Sequence, residues 1–195
     1  MRCLREKIGW PTDSVVVLHT GMLNAGKRPV RVIEDFLAAY SPSNSVLMFA
    51  GDGPLRERCI QAANSSNRVI FLGWRTNVPD LLKAADILIS NSESEGFPLA
   101  LLEGCASGLL VLATDIPPHR AMQKMFPQQV MLFRDKPQYQ LELALAQVAE
   151  KSYVHASPPE EALETISDRR MSQSYQLAYR DLVAERRIRF PVIAD

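Results

Sequence analysis

The fold of this chain is decided by residues 14–40, which read SVVVLHTGMLNAGKRPVRVIEDFLAAY. The first seven residues are almost continuously apolar, which is typical of a strand buried on both faces of a parallel sheet. A loop of glycine and small polar residues follows. The remaining residues form a helical pattern that carries apolar side chains at Val30, Ile33, Phe36, Leu37 and Tyr40. The stretch therefore predicts one strand–loop–helix unit.

Units of the same kind recur along the chain. Further apolar runs occupy residues 45–50, 68–72, 86–90, 110–114 and 130–134, and further helical stretches occupy 55–64, 78–85, 98–107 and 137–151. Strands that alternate with helices indicate right-handed crossovers between parallel strands. We predict an α/β fold with a doubly wound, parallel, six-stranded sheet of the Rossmann-like kind.

The pattern changes after residue 151. Pro158 and Pro159 interrupt the chain, and residues 167–187 predict a long helix with one apolar stripe. We therefore predict a Rossmann-like domain over residues 1–151 and a helical extension over residues 152–195. The extension would pack on this domain or on an N-terminal half that the sequence does not contain.

Charge and composition exclude several classes of protein. The chain has 195 residues, with 22 Lys plus Arg against 22 Asp plus Glu, so it lacks the excess cation that binding nucleic acid through its backbone requires. Three widely spaced cysteines predict neither a disulfide framework nor a thiolate zinc site, and indicate a reducing compartment. No apolar signal segment or membrane span is visible. We expect a cytoplasmic protein, with peripheral association at the inner face of a membrane left open.

Glycines, small polar residues and cations follow the predicted strands. In an open α/β sheet, ligands bind beyond the carboxyl ends of the strands. Examples are the loop from Gly21 to Lys27 and the loop after residue 90, where Glu95 and Gly96 lie. The composition of the loops alone fits a nucleotide site and an ordinary set of βα loops equally well.

Residues 95–103, EGFPLALLE, carry a more specific pattern. Pro98 is suited to be the first helical residue, and Gly96 allows a ligand to approach the backbone. Free amides near Phe97 would then face an anion. From Pro98 to Glu103 the helix rises about 7.5 Å, so Glu95 and Glu103 would reach distant parts of one ligand. A sugar nucleotide, which has a diphosphate between two hydroxyl-rich groups, fits this arrangement.

With these motifs in order, the sequence resembles the C-terminal, donor-binding half of the family 4 retaining glycosyltransferases, which have the two-domain GT-B architecture. The similarity runs from about residue 7 to residue 187. It includes Gly21 and Lys27 in the first loop, the GDGP turn at residues 51–54 and the E-x7-E motif formed by Glu95 and Glu103.

The resemblance implies a role for each matching residue. Glu103 would hold the ribose hydroxyls of the donor, and Glu95 would contact the hydroxyls of the transferred sugar. Lys27 would neutralise the leaving diphosphate, so Glu95 and Lys27 are the candidate catalytic residues. The full set of candidate donor-binding residues is Gly21, Lys27, Arg28, Gly73, Trp74, Glu95, Gly96, Phe97, Pro98, Leu99 and Glu103.

The resemblance also implies the reaction and its partners. These enzymes retain the anomeric configuration and need no metal or other cofactor. The implied donor is a nucleoside diphosphate sugar such as a GDP-hexose or UDP-hexose, and the implied acceptor is a glycan or a lipid-linked glycan. The implied enzyme also needs an acceptor-binding N-terminal half, so this chain alone is expected to be inactive, whether it is an excised fragment, a truncated gene product or one half of a split enzyme. An N-terminal-half partner protein or self-association is expected, and no nucleic acid partner is expected.

Several residues depart from the family pattern or have an ordinary alternative. Met22 replaces the usual arginine of the first loop, with Arg28 as a potential substitute, and Ala121 replaces a frequent glutamate. Trp74 and Phe97 are expected to be packing residues that happen to line the crevice.

The two histidines near the ends of predicted strands are also expected to have structural roles. His19 is expected to lie in the core, and a structural role is favoured for His119 over a functional one.

These departures keep other functions open. The first alternative is a non-catalytic nucleotide-sugar binding or protein-interaction module derived from such an enzyme, and a more distant one is a sugar-nucleotide epimerase.

Overall fold

Six parallel strands form a single sheet in the computed structural model, which describes residues 2–40, 44–134, 137–150 and 152–153. The strand order is β3-β2-β1-β4-β5-β6. After β3 the chain crosses back to place β4 beside β1, so the switch point of the sheet lies between β1 and β4. This confirms the predicted doubly wound α/β fold. The strands are β1 (Val16–Thr20), β2 (Val46–Ala50), β3 (Val69–Gly73), β4 (Ile87–Ser90), β5 (Leu110–Thr114) and β6 (Val130–Phe133).

Seven helices of the described residues cover the two faces of the sheet. They are α1 (Arg2–Ile8), α2 (Pro29–Ala38), α3 (Arg56–Ala63), α4 (Val78–Ala84), α5 (Leu99–Ala106), α6 (Pro117–Met125) and α7 (Pro137–Ala149). Helix α2 packs between α3 and α7, while α4 contacts α1 and α5, and α5 also contacts α6. The central strands β1 and β4 are consequently buried on both faces, which explains their continuous apolar sequence.

The structure has two helices that the sequence pattern did not predict, and a third begins one residue later than predicted. Helices α1 and α6 were not predicted, since α1 is short and charged and the two prolines that open α6 resembled a loop. In α6 the prolines occupy the first helical positions, where a missing amide hydrogen costs nothing. Helix α5 begins at Leu99, so Pro98 is its N-cap and not its first helical residue.

A buried arginine fastens the first helix to the centre of the sheet. Arg5 is 3% exposed and donates hydrogen bonds to the carbonyls of Ala84 (2.7 Å) and Ser14 (2.7 Å) and to Asp86 Oδ2 (2.6 Å). The same Asp86 oxygen accepts the backbone amide of Val16 at 2.7 Å. Because each of the three guanidinium nitrogens of Arg5 has an acceptor and Asp86 pairs with it, the two charges are tolerated inside the protein.

The predicted helical extension over residues 152–195 lies outside the described residues except for Ser152 and Tyr153. The boundary at residue 151 therefore stays a prediction. Within the described ranges, no helix combines the length and the apolar character that crossing a bilayer requires.

Two of the three cysteines of the chain are core residues. Burial raises the pKa of the Cys59 thiol to about 11 and that of Cys105 to about 12. Cys3 is exposed on α1.

The loops that follow β1 and β2 are joined by backbone hydrogen bonds. The amide of Gly21 donates to the Ala50 carbonyl (3.1 Å), and the amide of Leu23 donates to the Asp52 carbonyl (3.0 Å). The loops approach so closely that a Cβ atom at Gly51 would overlap the Gly21 carbonyl oxygen. Glycine at position 51 is therefore a steric requirement of this contact.

We predict that Gly51→Ala lowers the free energy of unfolding by about 1–3 kcal/mol, because the two loops must separate to admit a methyl group. Urea denaturation of both proteins measures the difference. The matched control is Gly96→Ala, whose new Cβ would meet nothing within 4 Å and should change stability by less than about 0.5 kcal/mol. Equal stability of the two variants would contradict this account of Gly51.

Candidate functional site

The candidate site lies where β1 and β4 end side by side. These strands are neighbours in the sheet, yet the helices that follow them lie on opposite faces. Their loops therefore diverge and leave a crevice at the carboxyl edge, which is where open α/β sheets bind ligands. The Glu93 amide crosses the crevice to donate to the Gly26 carbonyl at 2.9 Å, and this bond sets the spacing of the two loops.

A short turn places Lys27 at the mouth of the crevice. Residues Ala25–Lys27 form a 3-10 turn, and the Asn24 side chain caps it by accepting the Lys27 amide at 3.0 Å. Arg28 then adopts a left-handed conformation (φ 47°, ψ 47°) before Pro29 opens α2. The turn and helix α2 thus fix the Lys27 backbone from both sides.

Lys27 and Glu95 meet across the crevice. Lys27 Nζ donates to Glu95 Oε1, and both side chains are largely shielded from solvent. Burial favours the protonated form of Glu95, but hydrogen bonds from Lys27 and Ser92 together with the Lys27 charge outweigh it, so the pKa of Glu95 lies below its usual range. The site therefore presents an ionised carboxylate and a cation side by side at neutral pH.

A cleft of about 420 Å³ adjoins this pair. Of the predicted donor-binding residues, four line it: Gly21, Lys27, Trp74 and Glu103. Glu103 lies in the second turn of α5, so α5 and the loop after β1 both line the cleft. A cation, a carboxylate and an aromatic ring are thereby available to one ligand.

The other predicted residues are distributed around the cleft. Gly73 ends β3 with a positive φ of 71°, next to Trp74. Gly96 and Phe97 are exposed on the loop that leads into α5, Pro98 is buried at the helix cap, and Leu99 is exposed as the first residue of α5. One predicted free amide is occupied, since the Leu99 amide donates to the Phe97 carbonyl at 2.9 Å.

Arg28 does not occupy the position that the missing arginine would take. Its Nε donates to Glu93 Oε1 at 2.8 Å, and it lines a separate cleft of about 720 Å³ beside α2. Met22, which replaces the family arginine, is 58% exposed and lines the smaller cleft. In this structure Lys27 is therefore the basic side chain of the first loop that faces the cleft.

The packing role expected of two aromatic residues is wrong, although Trp74 lines the cleft as expected. Trp74 is 75% exposed and Phe97 is 54% exposed. Each follows a strand at the open carboxyl edge, where none of the described helices covers it. Both rings are consequently free to contact a ligand or another protein surface.

His19 is a core residue, as predicted. It is 1% exposed, its Nδ1 lies 3.2 Å from the Ile89 carbonyl, and its ring packs 5.1 Å from that of Phe49. Burial, together with the nearby Lys27 charge, lowers the pKa of His19 to about 4, despite an opposing effect of the Ile89 hydrogen bond. The ring is therefore neutral at physiological pH.

Sequence reasoning did not identify a buried polar group beneath Glu95. Thr114 at the end of β5 contacts Ser92 in the Glu95 loop and His119 in α6. His119 and Met122 are the buried residues of α6, three positions apart on one face. That spacing was visible in the sequence, but it acquires meaning only once residues 117–125 are recognised as a helix.

The fold and the position of the crevice define a Rossmann-like domain of the kind that binds nucleotides at a switch point. Residues 2–154 match the family described as glycosyl transferases group 1. The chain therefore belongs to the group 1 glycosyltransferases. This confirms the resemblance at the level of the group, and membership of family 4 within it is compatible with the match.

Individual relatives agree with this assignment. The chain is 34% identical over 131 residues to the UDP-Gal:alpha-D-GlcNAc-diphosphoundecaprenol alpha-1,3-galactosyltransferase of Escherichia coli, covering 62% of this chain and 33% of that protein. It is 36% identical over 112 residues to a GDP-mannose-dependent phosphatidylinositol dimannoside mannosyltransferase of Mycobacterium tuberculosis, covering 55% of this chain and 29% of that protein.

Solved structures show the same fold. HepE of Anabaena, solved with UDP-glucose, superposes with a TM-score of 0.73 at 20% identity, over 91% of this chain and 52% of that one. WaaG, a glycosyltransferase involved in lipopolysaccharide biosynthesis, superposes with a TM-score of 0.62 at 22% identity, over 85% of this chain and 50% of that one. The matched region thus spans about a third of the curated relatives and about half of these structures.

The buried His19 predicts a specific dependence of stability on pH. Its pKa is about 4 in the fold and about 6.5 in the unfolded chain, so the unfolded state binds more protons between these values. Stability should therefore fall as the pH drops from 6.5 towards 4, with His19 contributing roughly 2 kcal/mol of loss at pH 5.

His19→Asn keeps an amide donor near the Ile89 carbonyl and removes the titrating ring. We expect it to be less stable at pH 7.5 but to lose roughly 2 kcal/mol less than the wild type on going to pH 5. Urea unfolding at both pH values gives the four free energies. Parallel losses in the two proteins would show that His19 does not contribute.

Proposed function

We propose that this chain is the nucleotide-sugar donor-binding half of a retaining glycosyltransferase, which transfers a hexose from a nucleoside diphosphate sugar. The observation that carries the proposal is the meeting of Lys27 and Glu95 at the β1–β4 switch point, beside a cleft lined by Glu103. The E-x7-E spacing brings one carboxylate to each part of a ligand that has hydroxyl groups at both ends.

The donor would lie along the crevice with its base near Gly73 and Trp74. The Glu103 carboxylate would accept hydrogen bonds from the ribose hydroxyls, and Lys27 would meet the diphosphate. Glu95, on the far side of Lys27, would then contact the sugar. In this pose Lys27 neutralises the charge that develops on the leaving diphosphate as the glycosidic bond breaks.

We further propose that the reaction needs no metal ion. A fixed ammonium group supplies the same electrostatic stabilisation of a diphosphate that a divalent cation would supply. Lys27 is suited to this role because its turn is fixed by Asn24 and by α2. The amides of Gly96 and Phe97, in the loop before α5, would add donors for the ligand oxygens.

The acceptor and the second half of the enzyme belong to the proposal as well. The chain spans about half of the solved structures that it matches, and the open edge carries the exposed apolar residues Met22, Trp74, Phe97 and Leu99. Apolar side chains gathered at one rim are suited to a protein surface. An acceptor-binding domain would cover this rim and present a glycan or lipid-linked acceptor.

A non-catalytic binding or interaction module is the second candidate. The observation that favours it is Met22, an uncharged side chain in the cleft at the position of the family arginine. Arg28 is held by Glu93 outside the cleft and does not replace it. Donor binding by the native chain and its loss on removal of Glu103 would exclude a module that only contacts another protein, whereas a non-catalytic binding module would share this result.

Calorimetric titration of the chain with UDP, GDP, ADP and their hexose conjugates, in buffer containing EDTA, tests the donor site. We expect one nucleotide series to bind, and Glu103→Ala to weaken it about tenfold or more, since hydrogen bonds to a charged group contribute about 1.5–3 kcal/mol. Glu150→Ala, at an exposed position that follows α7, is the matched control and should bind like the wild type. Absence of binding at millimolar ligand would reject the proposed function.

The Met22 position gives a second prediction. Met22→Arg should strengthen binding of the nucleoside diphosphate about tenfold or more, because it adds a charge-assisted hydrogen bond to phosphate. Gln61→Arg adds the same charge at an exposed position of α3 and controls for general attraction of anions. Titrations of both variants with the nucleotide that binds the wild type measure the effect, and equal affinities would exclude a phosphate at position 22.

A further inference from the structure

A buried polar network lies beneath the loop that carries Glu95. Thr114 is the last residue of β5, and its hydroxyl donates to the Ser92 carbonyl at 2.6 Å. Ser92 and His119 are fully buried and Thr114 is almost so. Ser92 lies three residues before Glu95, so this bond holds the loop at its base.

His119 sets the direction of the Thr114 hydrogen bond. The His119 Nδ1 atom lies 2.8 Å from the Thr114 carbonyl, which can only accept, so Nδ1 carries the hydrogen. The same Nδ1 lies 3.3 Å from Thr114 Oγ1. With an N–H group facing its lone pairs, the threonine hydroxyl turns its single hydrogen towards Ser92.

Further hydrogen bonds hold the loop between β4 and α5, which carries Glu95. The Ser92 hydroxyl pairs with that of Ser90 at 3.1 Å and also interacts with the Glu95 carboxylate. The Glu93 amide donates to the Gly26 carbonyl at 2.9 Å, and Lys27 pairs with Glu95. The loop is thus fixed between the first loop on one side and Thr114 with His119 on the other.

We propose that His119 and Thr114 are positioning residues, which hold the Ser92 carbonyl and thereby fix the loop that presents Glu95. The proposal rests on the proposed function insofar as Glu95 contacts the transferred sugar. Neither residue touches the ligand in this arrangement, because both are buried and neither lines the cleft beside Lys27.

The surroundings of His119 favour its neutral form, which can still carry a hydrogen on Nδ1. Burial lowers the pKa of His119, while its bond to Thr114 and the Glu95 charge oppose this effect and the Lys27 charge adds to it. A neutral ring with its hydrogen on Nδ1 donates to Thr114 and leaves Lys27 as the cation that faces Glu95.

Hydrogen exchange of the Glu93 amide in the ligand-free chain tests the proposal directly. Thr114→Val removes the hydroxyl at nearly constant volume, and His119→Gln removes the donor at the Nδ1 position. We expect both variants to accelerate exchange of the Glu93 amide about tenfold, as expected when a hydrogen bond of about 1.4 kcal/mol is lost. Exchange is followed by nuclear magnetic resonance at fixed pH.

Conservative variants and one remote variant control for a general loss of stability. Thr114→Ser keeps the hydroxyl and His119→Asn keeps a donor near Nδ1, so both should restore slow exchange. Gln129→Leu removes a buried hydrogen bond to the Cys105 carbonyl (2.9 Å) just before the start of β6. It should leave the exchange rate of the Glu93 amide unchanged. Acceleration in Gln129→Leu equal to that in Thr114→Val would overturn the proposal.

The ratio of UDP-glucose affinity to UDP affinity, or of GDP-mannose to GDP if guanine binds, gives a second readout. Thr114→Val and His119→Gln should weaken the sugar conjugate about fivefold to tenfold while leaving the diphosphate unchanged, since a displaced Glu95 loses its contact with the sugar. An unchanged ratio would overturn the positioning role. If the wild type binds no nucleotide, the proposed function fails, and exchange of the Glu93 amide still decides whether the network holds the loop.

Discussion

The parallel pairing of β1 with β4 is the constraint on which the rest of the structure depends. Val17 and Leu18 pair with Ile87 and Leu88, and the chain winds outwards from this pair in both directions. The Arg5–Asp86 cluster fastens the beginning of both strands, because Asp86 accepts from the Val16 amide and Arg5 donates to the Ala84 carbonyl. With the amino ends fixed, the loops at the carboxyl ends can diverge without separating the strands.

That divergence sets the electrostatics of the crevice. The loop after β1 brings a cation and the loop after β4 brings a carboxylate, and the two groups pair across the crevice. Backbone hydrogen bonds also hold the two loops together, including the one from the Glu93 amide to the Gly26 carbonyl. The Lys27–Glu95 ion pair is thus not the only interaction that joins them. A diphosphate that drew Lys27 away would leave Glu95 in need of a new partner, and a sugar hydroxyl is suited to be one.

The strands were predictable because burial on both faces forces continuous apolar runs, which leave few alternatives. Helix α6 was not predicted, because the two prolines at its start are also typical of a loop. Prolines at the first positions of a helix are nevertheless compatible with it. The relation of Lys27 to Glu95 followed from a family resemblance and was not evident from their separation of 68 residues. The roles of Thr114 and His119 depend on hydrogen-bond directions, which no residue pattern contains.

The burial of two cysteines gives the chain a practical property. A thiol reacts with alkylating reagents as the thiolate, and Cys59 and Cys105, with pKa values near 11 and 12, hold almost none of it at neutral pH. Cys3 is exposed, and it lies two residues from the arginine that fastens α1 to the sheet. A maleimide dye would thus attach at one defined point that moves rigidly with the domain, so the unmutated chain is suited to energy-transfer measurements of how a second domain approaches it.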